Sequence, residues 1–327
     1  MTLYLCGMAA LDVLRHLRST NDGLVPGKVP RPRRLRGAIH TSKELNALND
    51  DAQRVLSHVR GKVEALVPSS DRLTHTSRLT TRLWSGDLPH GAFIDIGNNV
   101  CLSSPQFLFL QLAPVLSEIE LIKLGLELCG FYSCWSLPSL TGGKQQDSSD
   151  TTYGLMPVTS LSKLSTFVEH RKNTRGAVNA RKALRWVLNN SASPAETAVY
   201  LLLCLPRHRG GFGMPKPVFN ARVRVTTSTT HQNRYPDLYW QAHSLDVEYQ
   251  SDYAHTGNWK RYRDSQREVE LEAEKITVLP LTRLQLENVD DFEAFAASVR
   301  RNLGRRARPT PDGWRPKHLE LREALLS

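Results

Sequence analysis

The chain has 327 residues, 40% hydrophobic and 23% charged, with 43 Lys and Arg against 32 Asp and Glu for a formal charge of +11. That length and apolar content suit two domains of ordinary size with real cores. The positive excess favours a polyanionic partner, nucleic acid being the commonest, with a solvated basic surface as the plain alternative. Five cysteines, Cys6, Cys101, Cys129, Cys134 and Cys204, are odd in number and irregular in spacing. They argue against a disulfide framework and for buried thiols in a reducing compartment. Cys129 and Cys134 lack a second pair at zinc spacing. No run approaches the ~18 apolar residues of a membrane span. The apolar N-terminus lacks a basic leader and is interrupted by Asp12, so the expectation is a cytoplasmic protein with no membrane partner.

In chain order, residues 1–20 read as a short apolar element running into a helix. Residues 21–38 are rich in Pro, Gly and Arg and read as a loop or extended arm. Ser42 to His58 resembles a capped helix with Glu44 in its first turn. Residues 70–103 are β-like, with a strand at Ala92 to Gly97. The Leu and Phe spacing over 103–113 and 119–132 predicts two packed helices. A polar loop is expected over 138–154, then helices near 159–170 and 175–189.

From Ser191 the pattern changes. Ser193, Pro194 and Glu196 read as the N-cap, first position and first-turn acid of a helix reaching Leu205. A strand follows from Val218, then strands at 236–241 and 245–250, a charged helix over 257–275, a strand at 275–282 and a helix over 290–304. A helix joining two strands of one sheet indicates an α/β layer. The terminal arginines, Arg300, Arg301, Arg305, Arg306 and Arg308, suit non-specific electrostatic attraction to nucleic acid.

The strand at 245–250 carries the chemistry. Leu245, Val247 and Tyr249 alternate with Asp246, Glu248 and Gln250, so one face packs on a core and the other presents two carboxylates and an amide. A symmetric antiparallel hairpin about Gln241 to Ser244 sets Trp240 opposite Leu245 and Asp237 opposite Glu248. Facing residues have Cβ atoms ~4.5–5.5 Å apart. Carboxylates that close repel unless something positive lies between them, and a hard divalent cation is the natural occupant. A one-residue slip would separate the pair.

Taken in order, Ser193-Pro194-Ala195-Glu196, Pro236-Asp237, Glu248-Tyr249-Gln250, His255-Thr256, Arg263-Asp264 with Arg267, and Ile276 to Thr282 resemble the PD-(D/E)xK nuclease superfamily. The closer similarity is to the Vsr-like endonuclease domains found behind a helical segment in AbiEi-antitoxin-like proteins. It covers roughly residues 175–287, and the upstream half resembles the family's N-terminal region only loosely. The resemblance implies Mg²⁺- or Mn²⁺-dependent cleavage of DNA by a metal-activated water, with Asp237 and Glu248 as metal ligands. Gln250 would position that water, where the family usually has Lys, and Glu196 or His255 would assist. Asp246 and Asp252 are nearby acids. Candidate phosphate contacts are Arg261, Arg263 and Arg267, for which a charge-paired surface helix is the alternative. Arg207 and Arg209 lie in a Gly-rich segment that fits a flexible substrate-contacting loop.

The expected architecture is α/β (α+β overall). A mixed, mostly helical domain spans 1–174, a restriction-endonuclease-like domain 175–310, and a basic tail 311–327. The expected partner is double-stranded DNA, with a homodimer or a cognate defence or toxin protein as a second, in phage defence or mobile-element biology. The competing expectation is a catalytically degenerate DNA-binding regulator of the AbiEi antitoxin type.

Overall fold

The computed structural model of the protein describes residues 1–20, 34–135, 151–226, 231–250, 275–306 and 309–326, except the side chains of Thr226 and His231. Both helices and mixed sheets are present, so the chain is α/β overall. The described residues form two compact units, one running from Met1 to Val187 and the other from Leu188 onward, with Cys129–Tyr132 joining the second.

The first unit is built around a five-stranded mixed sheet. Its strands are β1 (Leu3–Leu5), β2 (Val63–Val67), β3 (Leu79–Leu83), β4 (Phe93–Asp95) and β5 (Val100–Ser103), in the spatial order β3-β2-β1-β5-β4. β1 is parallel to β5 and antiparallel to β2. Helix α1 (Gly7–Ser19) follows β1 directly. The segment read as one helix from Ser42 is two, α2 (Ser42–Asn46) and α3 (Asp50–Leu56). The break comes at Asn49, whose side chain accepts from Ala52 N–H and caps α3, while Thr41 and Glu44 form a capping box on α2. Helices α4 (Pro105–Leu112) and α5 (Glu118–Leu128) carry the expected apolar stripes. Next come β6 (Tyr132–Cys134) and β7 (Thr151–Tyr153), which pair, then α6 (Leu161–Glu169) and α7 (Ala177–Leu184). The expectation of a mostly helical N-terminal half is thus sharpened by a central sheet.

Inside this unit, Arg15 on α1 and Glu127 on α5 form a bidentate ion pair, Nε to Oε1 at 2.9 Å and Nη2 to Oε2 at 2.6 Å. Both residues are almost completely buried. Such a pair is held by geometry and by satisfying its remaining hydrogen bonds, since desolvation offsets much of the attraction. Ser133 Oγ and Cys134 N–H also donate to Glu127 Oε1.

In the second unit, helix α8 (Pro194–Cys204) is buried from Glu196 to Cys204, as a helix enclosed on all sides must be. Strands β8 (Val218–Phe219), β11 (Leu238–Trp240), β12 (Leu245–Gln250) and β13 (Thr277–Thr282) form a four-stranded sheet in the order β13-β12-β11-β8. The single strand expected from Val218 is broken at Asn220, which has φ 46°. Asn tolerates this left-handed conformation better than most residues. Beyond it, β9 (Val223–Thr226) pairs with β10 (His231–Arg234) as a separate two-stranded ribbon. β12 runs parallel to β13, which ends the sheet and accommodates Pro280. Helices α9 (Arg283–Glu287), α10 (Val289–Asn302) and α11 (Trp314–Leu326) complete the unit. The segment grouped with the basic tail therefore contains a helix, and Trp314, His318, Leu321, Arg322 and Leu325 are buried in it. All five cysteines are buried and none is in a disulfide. Among the described residues, no helix is long and apolar enough to cross a membrane.

Candidate active site at Glu196, Asp237 and Glu248

The hairpin register is set by Trp240 opposite Leu245, Tyr239 opposite Asp246 and Leu238 opposite Val247. Asp237 lies one residue before β11, and extending this register by one step sets it level with Glu248. Trp240 is held in place by its indole N–H donating to the Pro215 carbonyl at 2.7 Å. The Asp237 carboxylate reaches across the hairpin, and Oδ2 accepts the Tyr249 backbone N–H at 2.9 Å. This bond fixes the acid against β12.

The polar face of β12 differs from the open surface that alternation alone suggests. Asp246 is completely buried, Glu248 is partly buried and Gln250 is exposed. One face of a single strand thus runs from interior to solvent: Leu245, Asp246 and Val247 are buried, so both faces of the first half of β12 are covered, and Gln250 at its end is exposed. Asp246 faces Tyr239, whose phenol is pushed up by burial and by the Asp246 charge.

Glu196 enters from the first turn of α8. Ser193 caps the helix by accepting Glu196 N–H at 3.0 Å, and Glu196 Oε2 accepts Ala192 N–H at 3.0 Å. Ser193 Oγ donates to Glu196 Oε1 at 2.9 Å. Asn220, a residue that the sequence did not single out, donates Nδ2–H to Glu196 Oε2 at 3.1 Å and its backbone N–H to the Asp237 carbonyl at 3.2 Å. Asn220 therefore ties the helix acid to the hairpin acid. Its only sequence signal is an Asn interrupting a β-like run.

Burial first, and then the neighbouring Asp237 charge, push the Glu196 carboxyl up to about 8. The sign for stability follows. Folded Glu196 keeps its proton in a range where the unfolded chain, with its ordinary value of 4.5, has lost it. This contribution is present below the unfolded value and is lost as pH rises toward the folded one. Gln mimics the protonated acid: its carbonyl can accept from Ala192 and Asn220, and its amide can donate to Ser193. The melting temperature of Glu196→Gln should therefore gain on wild type steadily from about pH 5 to about pH 8. A difference that stays constant across that range would mean that Glu196 is ionised in the fold.

In the Gly-rich segment, Arg207 has a partner within the second unit. Arg207 Nη1 donates to the Pro309 carbonyl at 2.6 Å, and Arg209 is partly buried in the 3-10 turn Arg207–Arg209. The following Gly210–Gly211 pair seats α11, through His318 Nδ1–H to the Gly210 carbonyl at 2.7 Å and Trp314 Nε1–H to the Gly211 carbonyl at 3.0 Å. The segment expected to be a flexible substrate loop thus has a packing role. Asp252, His255, Arg261, Arg263 and Arg267 lie outside the described residues. Among the described residues, no group of three His, Cys, Asp or Glu side chains stands ready to hold a metal ion. No protein-family model, curated protein or solved structure matches the chain.

Proposed function

We propose that the second unit is a restriction-endonuclease-like, metal-dependent DNA endonuclease centred on Glu196, Asp237 and Glu248. One observation carries this: Asn220 donates its side chain to Glu196 Oε2 at 3.1 Å and its backbone N–H to the Asp237 carbonyl at 3.2 Å, which ties the acid of the helix N-terminus to the acid of the strand lead-in. Glu248 stands next on the same hairpin ladder. Paired acids in a partly buried setting are a common arrangement for metal binding and for proton transfer.

The donor set fits a hard cation. Mg²⁺ is commonly held by one or two carboxylates and keeps several waters, so a three-residue cage is unnecessary. Asp237 and Glu248 are the residues that would hold it, with Tyr249 N–H orienting Asp237. When bound, Mg²⁺ or Mn²⁺ supplies Lewis acidity toward a phosphodiester oxygen. Glu196, whose carboxyl is pushed up by burial and by the Asp237 charge, can exchange a proton as the local charge changes. Gln250, exposed at the end of β12, can orient a water by hydrogen bonding but adds no positive charge.

The test is cleavage of supercoiled, linear and single-stranded DNA with Mg²⁺ or Mn²⁺. Asp237→Ala and Glu248→Ala should each lose about 10²-fold or more in rate. Equal cleavage by wild type and Glu248→Ala would remove the site assignment. A second function is favoured by a specific observation: both Glu196 oxygens already accept hydrogen bonds from Ala192, Ser193 and Asn220. With Gln250 in the lysine position, this suits a DNA-binding regulator that keeps a nuclease scaffold. Salt-sensitive DNA binding without cleavage by any variant selects that function.

A further inference from the structure

The β9–β10 ribbon has two unlike faces. Val223 and Val225 turn inward, and Val225, fully buried, packs with Ile276, Tyr239 and Val278. Arg224 lies directly opposite Asn233 and so shares its face. Arg222 joins them, its Nε donating to Asn233 Oδ1 at 3.0 Å. All three side chains are exposed. The ribbon is rooted at the carboxylates, because Asn220, two residues before Arg222, bonds both Glu196 and the Asp237 carbonyl. The surrounding sequence has one sign of charge. Residues 197–236 contain six Lys and Arg, namely Arg207, Arg209, Lys216, Arg222, Arg224 and Arg234, and no Asp or Glu.

We propose that Arg222, Arg224 and Asn233 form a docking surface for the major groove of duplex DNA, an inference that rests on the DNA-directed function above. A two-stranded antiparallel ribbon fits the B-form major groove, which is about 12 Å wide. The narrow major groove of A-form RNA does not admit one. Arg and Asn are the side chains that read guanine and adenine edges bidentately in that groove. Successive outward residues on a strand stand about 6.6–6.8 Å apart, so Arg222 and Arg224 present two separate contacts. The Arg222–Asn233 hydrogen bond holds two of the three side chains before DNA arrives, which lowers the ordering cost of binding. The ribbon also places DNA beside the acids, since its base is Asn220. Cations can equally serve to keep exposed strand edges from pairing with other chains, a role that needs no DNA.

The experiment is fluorescence anisotropy of the full chain on a labelled random-sequence duplex of about 30 base pairs, in EDTA, from about 50 to about 200 mM salt. Arg222→Gln/Arg224→Gln should bind about tenfold more weakly. Its slope of log affinity against log salt should be shallower by about 1–2, near 0.9 per lost phosphate contact. Lys43→Gln/Arg54→Gln removes the same charge from exposed positions of the first unit and should stay within about twofold of wild type. Asn233→Ala should relax the base preference recovered by selection from a random duplex pool. Circular dichroism melts of each variant should match wild type, since the altered side chains are exposed.

Ribbon variants that bind like wild type at every salt would overturn the proposal. So would a duplex RNA that competes as well as duplex DNA, or a wild type that binds no duplex. Omitting divalent metal separates the two claims. Loss of binding in the ribbon variants, with no cleavage by any protein, leaves the docking surface standing and removes the endonuclease. Cleavage lost only in Glu248→Ala, with ribbon variants binding normally, does the reverse.

Discussion

Glu127→Ala should lower the melting temperature of the first unit by about 6–20 °C. Removing one partner of a buried ion pair costs about 3–5 kcal/mol, and a unit of this size loses about 2–4 °C per kcal/mol. The cost arises because Arg15, 2% exposed, is left charged in the interior without its carboxylate. Ser133 Oγ and Cys134 N–H lose their acceptor at the same time. Arg15→Met/Glu127→Leu should recover only part of the loss, the part due to the stranded Arg15 charge, because apolar groups of similar volume replace a buried pair at little cost. The rest stays lost, since Ser133 Oγ and Cys134 N–H still lack the Glu127 acceptor, and a lost buried hydrogen bond costs about 1–3 kcal/mol. Thermal denaturation of the three proteins reads this directly. A Glu127→Ala melt within about 2 °C of wild type would mean that the pair is not buried as described.

Gly210→Ala should be nearly as damaging in the second unit. Gly210 has φ 87°, and a Cβ there would lie 2.7 Å from the Lys317 carbonyl carbon and 2.9 Å from His318 N. Both neighbours are backbone of α11, so neither can swing aside. The left-handed conformation costs about 1–2 kcal/mol for alanine, and overpacking adds about 1–3 kcal/mol. Gly211→Ala meets the Leu205 carbonyl carbon at 2.6 Å, so its strain falls on the C-terminal end of α8 instead. The Gly210→Ala damage should be local: amide hydrogen exchange over 314–326 should accelerate before that of α8. That helix is otherwise fastened by Trp314 and His318 to the two glycines, and by Arg315 to Asp290 at 3.0 Å and Glu293 at 2.7 Å. Unchanged protection across the helix would show that the glycines are not its seat. The same pair explains why a segment rich in Gly and Arg, which suggests a loop for substrate, packs against a helix instead.

Much of the candidate site was legible from local pattern. The Ser193–Pro194–Glu196 start of α8 follows from capping chemistry, which acts within four residues. The register that brings Asp237 across from Glu248 follows from strand alternation about a short turn. The stop at Asn220 was not legible, because an Asn in a β-like run is compatible with a continuous strand until its neighbours are known. Its side chain reaches Glu196, 24 residues earlier in the chain. The burial of Asp246 was hidden for a similar reason: alternation says which face a residue occupies, not whether that face is covered.

By itself the sequence determined the periodic elements, the helix caps, the hairpin pairing and the excess of positive charge, since each depends on residues close together in the chain. Only the tertiary structure decided the rest. Leu3 pairs with Val100 in the first sheet, Arg15 meets Glu127, Glu196 converges on Asp237, and α11 closes on Gly210. These links, the one between Glu196 and Asp237 running through Asn220, join residues distant in sequence. They are chosen by which apolar faces can be buried together, and that choice belongs to the whole unit, not to any local window.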